Sequence, residues 1–302
     1  MLRCNEFMAK PTTRQVSRGF ARGRFLPGML LFGLLVATLP LRAAVLHVDA
    51  KADPGGDGAN WSSACADLRV ALDRATSGDE LHVAAGVYRP GRSGEREASF
   101  ELKDGVSVFG GYAGLTDPDA PRNPSVYVTW LSGDLGANDL TGGTAHREDN
   151  SHHVLQARNV KGVRLDGLHI RGGQAELYPD HKSGAALLAE NAELELSNCV
   201  FVDNFAFNQG GAVYLVNCDA VLNDCRFEEN RTEGFGGALA SEDSGCRLQA
   251  CQFFGNRAVG GGGNAVDAWK SSLSFIDCEM DGADDQTVQL LSCQDIQLST
   301  TR

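Results

Sequence analysis

The side chains of this 302-residue chain that could do chemistry are mostly acids. Asp203 and Glu229 occupy equivalent points of two similar stretches, and Glu228, Glu279 and Asp281 lie close by. Carboxylates facing one groove about 5–9.5 Å apart are what glycoside hydrolysis needs. Beta-elimination from an acidic sugar needs instead a basic Arg or Lys, with carboxylates that hold calcium. A row of acids is equally the solvated face of a regular structure. A second cluster joins Arg164, Asp166, His169 and Arg171, with Asp180, His181 and Lys182 shortly before Gly184. Asp166 beside Gly167 also reads as a turn, and His169 as an exposed strand position. The His152-His153 pair has no accompanying ligand spacing and reads as a chance doublet. Asp49, Asp53 and Asp57 put oxygen ligands on a glycine-rich loop, which suits calcium, although the regular spacing of an EF-hand is missing and an Asx-turn loop explains them as well. No phosphate-cradling glycine loop, nucleophile elbow or Cys-Xaa-Xaa-Cys motif is present.

The elements that must position these groups are written in a repeat. Cys199, Cys225 and Cys251 recur at one step, followed by Cys278; Phe201, Phe227 and Phe253 recur with them, with Met280 next in line. Asn204, Asn230 and Asn256 follow each Phe, and Gly210-Gly211-Ala212 matches Gly236-Gly237-Ala238. Leu194, Ala220, Cys246 and Leu273 form one register, and Leu196, Leu222, Leu248 and Phe275 another. A constant step of this size means stacked units. Leu194 and Leu196 between Glu193, Glu195 and Ser197 alternate as a half-buried strand does. The parity then changes at Cys199 and Phe201, so the chain bends near Asn198 and again at Asp203-Asn204.

Two or three short strands joined by bends make one coil of a solenoid whose equivalent positions stack about 4.8 Å apart. Leucine, cysteine and phenylalanine ladders then fill the core, while the asparagines pass hydrogen bonds from coil to coil. Parallel neighbours hold their Cβ atoms about 4.8 Å apart, beyond the ~3.5–4.5 Å of a disulfide, so the cysteines are expected as buried thiols.

Phe201 to Asn204, Phe227 to Asn230 and Phe253 to Asn256, with Gly210 to Val213 and Gly236 to Leu239, resemble the repeats of chlamydial polymorphic outer membrane proteins. Val163 to Ile170 followed by Gly172-Gly173, Val108 to Tyr112, and the opening Asp53 to Gly58 with Trp61 resemble exported right-handed β-helix proteins of the pectate-lyase-like superfamily. The resemblance implies an all-β, single-stranded right-handed parallel β-helix over residues 81–302. Residues 44–80 are expected to supply an N-terminal strand and a short capping helix within Ala64 to Ala75. The proline- and glycine-rich stretch 113–150 is expected as one loop excursion from a coil. The superfamily hosts lyases, hydrolases and adhesins, so the resemblance specifies fold rather than activity.

Residues 1–43 read as a signal peptide: Arg14, Arg18, Arg22 and Arg24 precede the apolar run Phe25 to Leu39, and small residues follow. The run is short for a span, so no stable membrane span is expected after cleavage. Seven of the 27 basic residues and one of the 39 acidic ones lie in 1–43, leaving a net charge near −18 on the rest. That surface repels nucleic acid and anionic lipid, and it suits a neutral glycan better than a polyanion unless calcium bridges the two. The expectation is an extracellular or outer-surface protein that binds a polysaccharide or cell-surface ligand without catalysis. The alternative is a polysaccharide lyase or glycoside hydrolase on the same fold. No cofactor other than calcium is suggested.

Overall fold

Four corners per coil, each a residue in the left-handed backbone region, turn the repeat into a closed path. In one coil these are Asn191, Asn198, Asp203 and Gly210, with φ of 53°, 50°, 54° and 59°. In the next they are Asn217, Asp224, Glu229 and Gly236, and then Asp243, Ala250, Gly255 and Gly263. Asn, Asp and Gly visit this region at least cost, so their recurrence is the physical meaning of the step seen in the sequence. The computed structural model describes residues 43–139, 146–176, 181–281 and 287–299.

Between corners run short strands, all paired in parallel with their equivalents one coil away. A nine-stranded sheet runs from Val45–Val48 to Gln294–Ser299. A second, seven-stranded sheet runs from Gly86–Tyr88 to Glu279–Met280, and a third from Phe100–Glu101 to Val288–Leu291. A four-stranded corner sheet is built of two-residue strands, Gln174–Ala175, Phe205–Ala206, Arg231–Thr232 and Arg257–Ala258.

The registers align as the alternation predicts: Leu194, Ala220, Cys246 and Leu273 stand opposite one another, as do Leu196, Leu222, Leu248 and Phe275. Phe201, Phe227 and Phe253 are fully buried, and their rings stack at 4.8 Å between centroids. Inside the corner at Asp203 the Asn204 Nδ2 donates to Asn230 Oδ1 at 2.9 Å and the Asn230 Nδ2 to Asn256 Oδ1 at 3.0 Å. The described cysteines are all free, and the Cys225, Cys251 and Cys278 thiols point back at carbonyls of Leu196, Leu222 and Leu248.

A helix, Leu68–Arg74, buries Leu68, Ala71 and Leu72 against the first coils, with Asp67 capping its start by accepting from the Arg69 N–H. It covers apolar side chains that no further coil would cover on that side. The expectation of a single excursion over 113–150 is corrected. Thr129–Ser132 is a strand of the second sheet, paired with Gly86–Tyr88 and Leu168–Arg171, so two excursions leave it on either side. Buried Thr129 and Leu131 flank Trp130, an alternation concealed among prolines and lacking a repeat partner. No helix of the described residues is long and apolar enough to cross a membrane. The expected signal segment lies outside the described residues.

Candidate functional site: a groove along the corner sheet

The two-residue strands of the corner sheet leave no room for a wide face, so each coil offers one buried and one outward residue there. Ala175, Ala206, Thr232 and Ala258 form the buried row. Gln174, Phe205, Arg231 and Arg257 form an outward row in direct register. The ladder continues past the strands through backbone bonds from Phe207, Glu233 and Val259 to the coil before, which adds a second outward row led by Glu176. Apart from Phe207, these rows line a groove of about 450 Å³, a size typical of ligand clefts. Phe207 and Val259 are each 54% exposed, an unusual degree for such residues.

Arg147, from outside the repeat, closes one wall. Its side chain is buried, forms an ion pair with the Asp203 carboxylate and donates from Nη1 to the Asp203 carbonyl at 3.2 Å. Burial pushes the Asp203 carboxyl above its ordinary range, against the pull of Arg147 and Arg231. Glu176 behaves oppositely: burial opposes ionisation, but the amide of Gln174 and the guanidinium of Arg96, donating at 3.0 and 2.9 Å, hold its carboxyl below the usual value.

Behind this end of the groove, His152 and His153 are both buried. The His152 Nδ1 meets the Gln174 carbonyl at 3.1 Å. The His153 Nδ1 meets the Gly184 carbonyl at 3.0 Å, and its Nε2 faces the His181 Nδ1 at 3.0 Å. The His181 Nε2 in turn lies 2.7 Å from Glu97. Burial holds the His153 imidazole down to about 3, so it is neutral and its Nε2 accepts from His181. Asp180, placed with His181 in the sequence cluster, lies outside the described residues.

The remaining candidates are dispersed. Asp203 and Glu229 do occupy equivalent corners of adjacent coils, as their spacing implies, with Glu229 exposed. Glu228 is on the second sheet and ion-paired with Arg226. His169 shares that sheet, in edge contact with Trp130 at 4.8 Å between ring centroids; burial lowers its pKa while Glu228 opposes the shift. Asp166 is separated from His169 by the left-handed corner at Gly167 and belongs to the nine-stranded sheet. There it pairs with Arg122, whose guanidinium lies 5.6 Å over the Phe109 ring and 5.8 Å over Tyr112. Asp166 thus fastens a loop.

Asp49 accepts from the Lys51 and Leu115 N–H groups at 2.9 and 2.8 Å. Asp57 accepts from the Ala59 N–H and the Ser63 hydroxyl, which lower its pKa; Asp53 stands exposed. The loop has the Asx-turn geometry that was the alternative to calcium, and among the described residues no three His, Cys, Asp or Glu side chains are grouped to hold a metal. A wider, shallower trough of about 930 Å³ crosses the nine-stranded sheet, where Arg164 pairs with Glu195 at 3.0 Å and Asp219 and Arg247 also face outward.

Sequence reasoning missed Phe205, Arg231 and Arg257. The signal was available, because each immediately follows a residue of the Asn204, Asn230 and Asn256 ladder. Arg147 had no such signal, since it comes from outside the repeat.

Residues 137–280 match the family model described as a right-handed β-helix region. No curated protein matches the chain. Among solved structures, a rhamnogalacturonan lyase is similar with a TM-score of 0.47 at 11% identity, covering 86% of this chain and 63% of that one. A pectin methylesterase in complex with a hexasaccharide gives a TM-score of 0.41 at 10% identity, covering 81% and 80% of the two chains. The present chain therefore spans less than two thirds of the lyase's length. With its four parallel sheets and its family match, this chain carries a right-handed parallel β-helix.

Proposed function

We propose that the chain is an exported β-helix protein that binds a glycan in the corner groove without cleaving it, at the cell surface or outside the cell. The observation that carries this reading is the outward row Gln174, Phe205, Arg231 and Arg257, an amide, an aromatic ring and two guanidiniums repeated at strand spacing in one groove. A sugar ring offers an apolar face to an aromatic side chain and hydroxyls to amides and guanidiniums, and successive rungs about 4.8 Å apart suit successive units of an extended chain. Two of the groove's carboxylates are committed to ion pairs, Asp203 with Arg147 and Glu176 with Arg96, which favours binding over acid–base chemistry. The likeness of the Phe-Xaa-Xaa-Asn and Gly-Gly-Ala repeats to surface-protein repeats agrees with display outside the cell.

One observation favours the alternative of a hydrolase or lyase: Asp203, its carboxyl raised by burial, stands one rung from the exposed Glu229. The two readings separate on a glycan array probed with the purified chain from Val45, in calcium and in chelator, with product release scored on every spot that binds. Binding without release is expected. Replacing Phe205 by Ala should weaken that binding at least tenfold while leaving the circular dichroism spectrum unchanged. Release of shortened or unsaturated products would overturn the non-catalytic reading.

A further inference from the structure

Arg231 and Arg257 are exposed, stand directly opposite one another in register, and have no ion pair with any described residue. Like charges at directly opposite strand positions destabilise a sheet. Many arginines elsewhere are ion-paired, among them Arg96 with Glu176, Arg122 with Asp166, Arg147 with Asp203 and Arg158 with Glu190, while Arg74, Arg89 and Arg247 donate to neutral oxygens. Acids face the groove as well, but Asp203 and Glu176 are taken up by Arg147 and Arg96, which leaves Glu233 against two unpaired guanidiniums. The result is a local cationic spot on a chain whose formal net charge is −12.

We propose that Arg231 and Arg257 form a subsite for a tetrahedral oxyanion, a sulfate or phosphate monoester carried on the glycan. The proposal rests on the reading of the groove as a glycan site and specifies the class of glycan. A guanidinium presents two parallel N–H groups to a pair of oxygens. A monoester has three terminal oxygens, so two guanidiniums stacked at rung spacing can each engage a pair and share one oxygen between them. A carboxylate offers only two oxygens in one plane: one guanidinium fork takes the two inner lone pairs, and the second guanidinium can reach only the outer ones, without a fork of its own. Phe205, next in the same row, would then pack against the sugar that carries the ester. The overall negative charge of the chain works against any polyanion, so the selectivity must come from this pair.

The test is binding of the intact chain to immobilised dextran, dextran sulfate, phosphorylated dextran and polygalacturonate at fixed ionic strength, with melting temperature as the folding control. The expected result is at least tenfold tighter binding to one of the ester polymers than to dextran or polygalacturonate; the tighter ester identifies the source of the oxyanion. Arg231→Gln with Arg257→Gln should remove that preference without lowering the melting temperature. The two Lys substitutions should restore part of it, and Arg158→Gln, outside the groove, should leave it intact. Equal binding to dextran and to the esters would overturn the subsite and leave the glycan reading standing. Polygalacturonate bound as tightly as the esters would overturn the selectivity for a tetrahedral group. A folded chain that binds none of the four polymers would overturn the subsite, and if it also binds nothing on the array the glycan reading falls with it.

Discussion

Asp267 shows how a single residue can set the pH response of a solenoid. It sits on the third sheet opposite Gln289, is 5% exposed, and its Oδ1 has no hydrogen-bond partner; the Oε1 of Gln289 is likewise buried and unpartnered. Burial alone pushes its carboxyl up to about 6. The folded chain therefore retains a proton that the unfolded chain releases near pH 4, and stability falls as pH rises from about 4 through about 6. Replacing Asp267 by Asn should raise stability by about 2 kcal/mol at pH 7.5 and change it little at pH 4, as measured by urea unfolding at the two pH values. An equal effect at both would show that the gain comes from packing or from the amide's hydrogen bonds rather than from ionisation.

At the scale of elements, the corner at Asp203 and its equivalents is held by a buried amide ladder. Asn230 donates to the Phe201 carbonyl at 2.9 Å and to Asn256, and its Oδ1 accepts from both the backbone and the side chain of Asn204. Asn230→Ala should cost about 3 kcal/mol, because it orphans polar groups on both neighbouring rungs in a place water does not reach. The Asn191 side chain, at an exposed corner, bonds only to those of Asn159 and Asn217, and Asn191→Ala should cost less than half as much on the same denaturation scale.

These ladders were legible in the sequence because one residue type holds one register: Phe201, Phe227 and Phe253 must share an environment for that pattern to persist. The strand Thr129–Ser132 was not legible, since it precedes the regular repeat and lies between a proline-rich loop and a glycine-rich one. The groove was half legible. Arg231 and Arg257 carry the repeat step, but Gln174 and Phe205 hold the same register with different side chains. Arg147, which fastens Asp203, reaches the wall through folding that no local pattern announces.

At the scale of the whole molecule, the described coils touch mainly their immediate neighbours, and that property can be tested by surgery. Deleting residues 209–234 removes one full turn and joins Asn208 to Phe235. Cys199 would then meet Cys251, Phe201 would meet Phe253 and Asn204 would meet Asn256, each a partner of the kind it has now. The shortened chain is expected to fold with the same far-ultraviolet spectrum and to melt within a few degrees of the parent. Deletion of 209–221, half a turn, should instead leave it unfolded, because Leu194 would then face Glu233 and Phe201 would face Ala240, with the corners out of step. A protein built this way carries its reach as a count rather than a shape: unequal recombination between neighbouring turns can lengthen or shorten the binding surface by one step, with no new core to invent.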